Sequence, residues 1–289
     1  MTGIIIVDKP SDWTSHDVVA KLRGALKIKR VGHGGTLDPM ATGVLPIFVG
    51  RATRAAEFCE NAEKEYIAGL RLGLVTDTQD VTGNAISACE ASFSKDDITG
   101  IIPRFLGAQK QIPPMYSAIK LNGKKLYELA RRGQEIERPA RDIAISEIEL
   151  LDGCGIEFLL RIKCSKGTYI RTLCHDIGAA LGCGGAMSSL RRTKAGAFTI
   201  DAAHTLSDIL DAIAASSIDK IILPVDSIFQ EYPKVTLTAT ETQKCKNGAQ
   251  CAIPLPDGKY RAYAAANGEF LMLGEANSGV VKCIKSFYL

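Results

Sequence analysis

The sequence predicts an α/β protein of the α+β type, with a mixed, mainly antiparallel sheet flanked by helices and a small C-terminal β-domain. Three observations favour this class. Apolar runs of strand length alternate along the chain with segments of helical periodicity. Residues 143–151 and 156–164 alternate apolar and polar side chains around Asp152-Gly153, as an antiparallel hairpin does. The 289 residues suit one large domain and a small one, and the chain changes character near Pro224–Pro233.

The elements of the first half are assigned from apolar periodicity and from their end signals. Thr14 or Ser15 supplies the short polar side chain that caps a helix, and Ser94 does the same further along. The predicted order is a strand closed by Lys9-Pro10, a helix to about Lys27, a glycine-rich segment over 31–43, a strand over 44–49, a strand over 65–73, a polar turn region over 76–84, a helix after Ser94, an extended segment over 112–121 and a helix over 124–132.

The second half contains the hairpin and then two more helices, over about 169–181 and 207–215. Beyond the two prolines, short strand-like pieces are broken by the turn pairs Asn247-Gly248, Asp257-Gly258 and Asn267-Gly268. We therefore expect a main domain over residues 1–228 and a small domain over residues 229–289.

The composition is that of a soluble globular protein, with 46% hydrophobic and 23% charged residues. It excludes disordered, collagen-like and coiled-coil classes. No apolar run approaches the roughly 18 residues of a membrane helix, so we expect no membrane association. The nine cysteines form no Cys-x-x-Cys pair, which argues against a metal site and predicts reduced, packed thiols in the cytoplasm.

Positive charge is concentrated in two segments although the net charge is only +3. Residues 18–54 carry seven basic side chains and one acidic one, and residues 104–141 carry nine basic and three acidic ones. A segregated basic surface is what a polyanion such as nucleic acid requires, although charge runs are also common on solvated faces.

The glycine-rich segment contains one acidic residue, Asp38, followed by Pro39. An Asp-Pro pair among glycines forms a turn in most proteins, and on these residues alone a catalytic role and a turn both stay open. The segment lacks the Gly-Lys-Ser/Thr of a phosphate-binding loop, which argues against a phosphotransferase. Ser165–Arg171 and Leu190–Thr193 also place polar side chains at the ends of predicted elements.

Together these segments resemble the TruB family of bacterial tRNA pseudouridine synthases. The resemblance covers about residues 3–200. It rests on motifs that occur in the expected order: Val7-Asp8-Lys9-Pro10, Thr14–Val19, Gly32–Pro39, Ala41–Pro46, Lys64-Glu65-Tyr66, Pro114–Ala118, Gly123–Tyr127, Ser165–Arg171 and Leu190–Thr193. Each motif is weak by itself, but so many in sequence are specific.

The resemblance implies a pseudouridine synthase fold and the isomerisation of uridine 55 in the T loop of tRNA. No second substrate is consumed, so it also implies no cofactor and no metal. Asp38 is then the essential aspartate, a nucleophile on either the ribose or the base. The uridine must leave its stack for the carboxylate to reach it.

The same matching implies roles for other residues. Arg171 becomes the counter-ion of Asp38, and Tyr66 stacks on the uracil and helps remove its C5 proton. Tyr169 and Leu190 complete the base pocket, and His33 supports the RNA loop. Residues 109–133, the thumb segment, close over the RNA as a mobile arm. We expect phosphate contacts from Lys9, Lys120, Lys124, Lys125, Arg131, Arg132 and Arg191.

The expected partner is the T arm of tRNA, bound by a monomer that needs no protein partner. Two departures from the family pattern stand out. Gly34 replaces a threonine, which predicts a more flexible loop, and Asp12 replaces a glycine, which puts the local turn in doubt. An RNA-folding helper that relies little on catalysis and an RNA-guided synthase are the alternative functions. The thumb segment and the short C-terminal region favour a stand-alone enzyme.

Overall fold

A computed structural model describes residues 1–121 and 123–288 of the protein. The chain divides into two compact units. The first unit contains Met1–Pro39, Gly43–Glu60 and the chain from Ala195 to the C-terminus. The second unit contains Met40–Thr42 and Asn61–Lys194.

The α-helices of the described residues are α1 (Ser15–Leu26), α2 (Ala56–Asn61), α3 (Lys95–Ile101), α4 (Leu126–Ala130), α5 (Ile170–Ala180), α6 (Leu206–Ala214) and α7 (Ala239–Lys246). Short 3-10 helices lie at Gly50–Ala55, Ile102–Phe105, Ile200–Ala202, Ile218–Lys220 and Val225–Phe229.

The strands are β1 (Gly3–Lys9), β2 (Val31–His33), β3 (Thr42–Val49), β4 (Lys64–Leu72), β5 (Leu74–Thr76), β6 (Ala85–Ala88), β7 (Gly107–Gln111), β8 (Lys120–Leu121), β9 (Lys124–Lys125), β10 (Arg141–Cys154), β11 (Glu157–Cys164), β12 (Gly185–Ala195), β13 (Phe198–Thr199), β14 (His204–Thr205), β15 (Lys234–Leu237), β16 (Cys251–Ala252), β17 (Gly258–Ala264), β18 (Phe270–Asn277) and β19 (Val280–Ser286).

In the first unit, β1 lies between β3 and β14, antiparallel to β3 and parallel to β14. Residues Ile4–Val7 have essentially no exposed surface, which explains why the strand reads as a continuous apolar run. Thr14 is the N-cap of α1 and forms a capping box with Asp17. The sequence predicted such a cap from the polar residue that precedes the helix.

The C-terminal part of the first unit is a five-stranded sheet in the order β15-β17-β18-β19-β16. It has its own apolar cluster around Leu237, Leu271 and Val281. Phe229, Phe270 and Phe287 stack in a second cluster that also contains Ile4 and Phe48. A β-domain at this end is therefore confirmed, while a boundary between residues 228 and 229 stays a prediction.

The second unit carries the strands β12-β4-β11-β10-β7 in that order. β10 and β11 form the predicted antiparallel hairpin and β4 continues the sheet, with Tyr66 opposite Ile162. α5 follows β11 directly and ends two residues before Gly182, which has a left-handed φ of 77°. This arrangement brings the start of α5 to the end of the hairpin.

Three details differ from the sequence prediction. The hairpin turns at Gly155, not at Asp152-Gly153, because β10 continues through an irregularity after Leu150 and Cys154 pairs with Glu157. The segment over 112–121 is irregular up to Ile119, since two adjacent prolines lack the N–H groups that a ladder needs. The helix predicted over 124–132 is confined to α4, preceded by β9.

Candidate active site

Asp38 lies in an irregular loop between β2 and β3 that is fastened on both sides of the carboxylate. The buried hydroxyl of Ser15 donates to the carbonyl of Leu37 and accepts from its N–H, at 3.2 and 2.9 Å. On the other side, the carbonyl of Pro39 accepts from the Lys9 ammonium at 3.0 Å and from the Asp12 N–H at 2.9 Å. The backbone around Asp38 is therefore fixed by groups that are far from it in sequence.

Lys9 is a correction to the sequence analysis, which expected it to contact RNA phosphate. The side chain has no exposed surface. Its ammonium donates to the carbonyls of Pro10, Trp13 and Pro39 at 2.8, 2.6 and 3.0 Å. A buried ammonium with three carbonyl acceptors stabilises the loop and does not reach solvent, because moving it out would leave those carbonyls unsatisfied.

The two departures from the family pattern have structural explanations. Asp12 has a φ of 65°, the left-handed conformation that a glycine adopts easily and an aspartate tolerates. Gly34 is buried, and a Cβ there would lie 2.7 Å from Phe48 Cε2 and 2.9 Å from Cys59 Sγ. Its N–H donates to the Pro46 carbonyl at 2.9 Å. A side chain is excluded at this position by tight packing, and the greater flexibility of the loop stays a prediction.

His33 ends β2 and is partly buried. Its ring centroid lies 5.5 Å from that of His16, which is exposed near the start of α1. Two imidazole rings therefore lie side by side in the first unit, next to the glycine-rich segment that carries Asp38. The contribution of His33 to RNA binding stays a prediction.

Tyr66 and Leu190 lie on the adjacent strands β4 and β12 and are 9% and 8% exposed. Thr193 donates to Glu65 across these strands, and a Cβ at Gly69 would meet Ser188 and Ser189. These contacts align the strands antiparallel, with Tyr66 and Leu190 on the same face. The structure thus brings together two of the side chains predicted to line a base pocket.

Tyr169 and Arg171 lie at the start of α5, in the same unit as Tyr66 and Leu190. Arg171 is 5% exposed and donates from Nη1 to the Thr78 carbonyl at 3.1 Å and from Nη2 to the Tyr116 carbonyl at 3.0 Å. Its forked guanidinium therefore connects α5 to two loops at once, through two nitrogens held in one plane.

Asp80 is a partner of Arg171 that the sequence analysis missed. Its Oδ2 lies 3.5 Å from Arg171 Nη1, and both side chains are 6% exposed. Thr78 donates its hydroxyl to Asp80 Oδ1 at 2.9 Å, and the N–H of Thr82 donates to the same oxygen at 3.0 Å. The available signal was a carboxylate flanked by threonines within the turn region 76–84.

Two basic residues of the thumb segment lie around one aromatic ring. Lys125 Nζ and Arg131 Cζ are 5.3 and 5.4 Å from the centroid of Tyr127, and Lys125 also donates to its hydroxyl at 3.1 Å. Lys120, Lys124, Arg131 and Arg132 are exposed. Outside this segment, Arg191 Nη1 donates to Thr42 Oγ1 at 3.2 Å and is partly buried. Phosphate contacts by these residues stay predictions.

Two thiols near these elements are inert. Burial raises the pKa of Cys174, on α5, to about 12 and that of Cys164, at the end of β11, to about 11. At neutral pH both remain thiols, which are poor nucleophiles. All nine cysteines are free.

Comparison with known proteins shows the family to which the chain belongs. Residues 23–170 match the family described as TruB family pseudouridylate synthase (N terminal domain), which is more than half of the chain. Residues 171–230 match the tRNA pseudouridylate synthase B C-terminal domain. The chain belongs to the TruB family. It is therefore a tRNA pseudouridine synthase, an isomerase that converts uridine in tRNA to pseudouridine.

Relatives are similar over most or all of their length. A tRNA pseudouridine synthase B of Azoarcus sp. (strain BH72) is 42% identical over 97% of this chain and 93% of its own. The enzyme of that name from Clostridium kluyveri is 42% identical over 99% of this chain and 100% of its own. A solved structure titled "Crystal Structure of a Cbf5-Nop10-Gar1 Complex" is 30% identical with a TM-score of 0.76, covering 99% of this chain and 85% of that chain.

The described residues contain no group of three or more His, Cys, Asp or Glu side chains arranged to hold a metal ion. Within residues 1–121 and 123–288, no helix is long and apolar enough to cross a membrane.

Proposed function

We propose that the protein isomerises uridine 55 in the T loop of tRNA and that Asp38 is the nucleophile. The observation that carries this proposal is the fastening of the Asp38 loop by Lys9 and Ser15, two buried polar side chains. Burying an ammonium group costs free energy unless it is fully hydrogen-bonded, so its use to fix one loop indicates that the geometry of that loop matters. A surface turn would not need it.

The reaction is an intramolecular transfer. The bond from N1 of the uracil to C1′ of the ribose breaks, the base turns, and C5 bonds to C1′. C5 loses its proton and N1 gains one, so that no electrons, metal or coenzyme enter the balance. Asp38 forms a covalent bond to one of the two parts, the ribose or the base, while the ring turns, and this bond breaks again once C5 is joined to C1′, which returns the free carboxylate.

The base pocket is assigned to the second unit. Tyr66 stacks on the extruded uracil and Leu190, on the same sheet face, contacts it from the side. Tyr169 covers the base from the start of α5, and Arg171 brings positive charge to the reacting nucleotide. Aromatic and apolar contacts compensate for the stacking that the base loses, by about 1–3 kcal/mol per base.

RNA binding is assigned to His33 and to basic side chains on both units. The exposed Lys120, Lys124, Arg131 and Arg132 contact phosphates of the T arm, as do Lys125 and Arg191, and the thumb segment closes over the RNA. Such contacts fix the register of a folded RNA and read its shape more than its sequence.

The enzyme acts as a monomer without a protein partner. The relatives that match over their full length carry the name of a single enzyme. The solved structures titled "Cbf5-Nop10-Gar1 Complex" and "H/ACA RNP bound to a substrate RNA containing 2'-deoxyuridine" contain further components, and only 85% of those chains is covered. Nine free thiols agree with a reducing compartment, which we take to be the cytoplasm.

The test is incubation of the protein with a T-arm hairpin and with a matched hairpin in which uridine 55 is replaced by cytidine, followed by chemical mapping of pseudouridine. We expect modification of the first RNA at that one uridine and none of the second. Modification at scattered uridines would contradict the site assignment. Tight binding without any modification would favour the RNA-folding helper.

A further inference from the structure

The side chain of Gln111 holds the backbone of Tyr169. Neither the sequence motifs nor the proposed chemistry assign a role to this glutamine. Gln111, at the end of β7, is 6% exposed. Its Oε1 accepts from the Tyr169 N–H at 2.8 Å, and its Nε2 donates to the Tyr169 carbonyl at 3.1 Å. Because a backbone N–H only donates and a carbonyl only accepts, these partners fix the orientation of the amide.

This contact anchors a helix start that has no cap from its own side chain. Tyr169 is the N-cap of α5, and no side chain of its own caps the helix. Helices normally begin at Ser, Thr, Asp or Asn, whose short side chains accept from the first free N–H groups, and a tyrosine does not reach them. Gln111, which is 58 residues away in sequence, instead holds the N-cap residue itself: it accepts from the Tyr169 N–H, as the second residue of a capping box does, and donates to the Tyr169 carbonyl.

Gln111 also lies where the chain enters the thumb segment. Pro113, Pro114 and Met115 follow it and are buried. The carbonyl of Tyr116 then accepts from Arg171 Nη2, two residues beyond Tyr169 on α5. Three hydrogen bonds thus join the two ends of segment 111–116 to the first residues of α5.

We propose that Gln111 is a positioning residue for the base pocket. It fixes Tyr169 relative to segment 111–116 of the thumb. It also fixes Arg171, because Arg171 lies at the start of α5. The inference rests on the proposed function, in which Tyr169 lines that pocket. A glutamine is required because the site needs a donor and an acceptor at the end of a side chain of this length. Glutamate lacks the donor, asparagine is one methylene shorter, and leucine has neither group.

The test uses Gln111→Glu over a range of pH. The ionised carboxylate still accepts from the Tyr169 N–H but places a second negative oxygen against the Tyr169 carbonyl. The protonated acid restores the donor and both hydrogen bonds. At saturating T-arm hairpin we expect the single-turnover rate at pH 8 to fall at least tenfold relative to the parent. The rate of the variant divided by that of the parent should rise towards one as the pH falls to 5.5. The dissociation constant of the variant for the hairpin should stay within about twofold of the parent's.

Gln134→Glu is the matched control. Gln134 is exposed and lies just beyond the thumb segment. The variant introduces the same charge close to the same RNA-binding segment. We expect its rate ratio to stay near one and to be independent of pH.

A ratio for Gln111→Glu that does not change with pH would overturn the inference, as would a loss confined to RNA affinity. Gln111→Ala provides a second variant, checked by thermal unfolding, and parental turnover in it would also overturn the positioning role. If the parent leaves the hairpin unmodified, the proposed function fails and the inference fails with it. A pH-independent ratio in an active parent overturns the positioning role alone.

Discussion

Replacing Asp80 by asparagine removes a charge that faces Arg171 and leaves the shape of the side chain nearly unchanged. The two charged atoms are 3.5 Å apart and both side chains are 6% exposed. Two unit charges at that distance attract by about 5 kcal/mol at an effective dielectric constant of about 20. Removing one partner of a buried pair costs about 3–5 kcal/mol, because the other charge stays buried.

We expect the lower end of that range for Asp80→Asn. Arg171 keeps the carbonyls of Thr78 and Tyr116 as acceptors, and these partly compensate the guanidinium. The free energy of unfolding should fall by about 3 kcal/mol, which lowers the Tm by about 6–12 °C in a protein of this size. The single-turnover rate should fall at least tenfold, equivalent to about 1.4 kcal/mol, since the guanidinium is less firmly oriented.

Urea unfolding and single-turnover assays of Asp80→Asn, Arg171→Met and the double variant measure the coupling, because each single change removes one charge of the pair. Asp77→Asn is the control, because Asp77 lies in the same loop but bonds the backbone N–H and the amide of Asn84. We expect it to unfold within about 2 °C of the parent. Additive effects of Asp80→Asn and Arg171→Met, within about 0.5 kcal/mol, would refute the ion pair as a stabilising interaction.

Three further predictions concern other parts of the chain. Replacing Lys124 and Lys125 by alanine should weaken tRNA binding and reduce the slope of log K against log salt by about 1.5 in filter-binding titrations; an unchanged slope would remove both from the interface. Cys174 should resist thiol reagents at pH 8 until the protein is unfolded, because burial raises its pKa to about 12. Mass spectrometry of the labelled native protein checks this, and a label on Cys174 would contradict it. Burial and a hydrogen bond raise the pKa of Tyr263 to about 12, above its unfolded value of about 10, so stability should be lost as pH rises from 10 to 12. The loss should be smaller in Tyr263→Phe, and equal losses would contradict this assignment.

Features with a local cause were predictable from the sequence. The helix cap at Thr14 and the buried strand at Ile4–Val7 follow from residue type and spacing, and both are present. α7 had such a signal as well, since Thr238 and Glu241 form a capping box. It was missed because the helix is mostly polar and shows no apolar stripe.

Features with a tertiary cause were not predictable. Lys9 looks like an exposed cation in the sequence, and only the fold brings three carbonyls to it. Asp80 and Gln111 likewise lie in segments that resemble a polar turn and a strand end. Their roles depend on α5, which is about 60 to 90 residues further along the chain.

The claim that an aspartate side chain performs the chemistry is tested most directly with Asp38→Asn. The measurement is the single-turnover rate on a T-arm hairpin beside the dissociation constant for the same RNA, with Asp12→Asn as the matched control. We expect no detectable pseudouridine with Asp38→Asn, binding within a few fold of the parent, and near-parental turnover in the control. Parental turnover in Asp38→Asn would contradict the proposed mechanism.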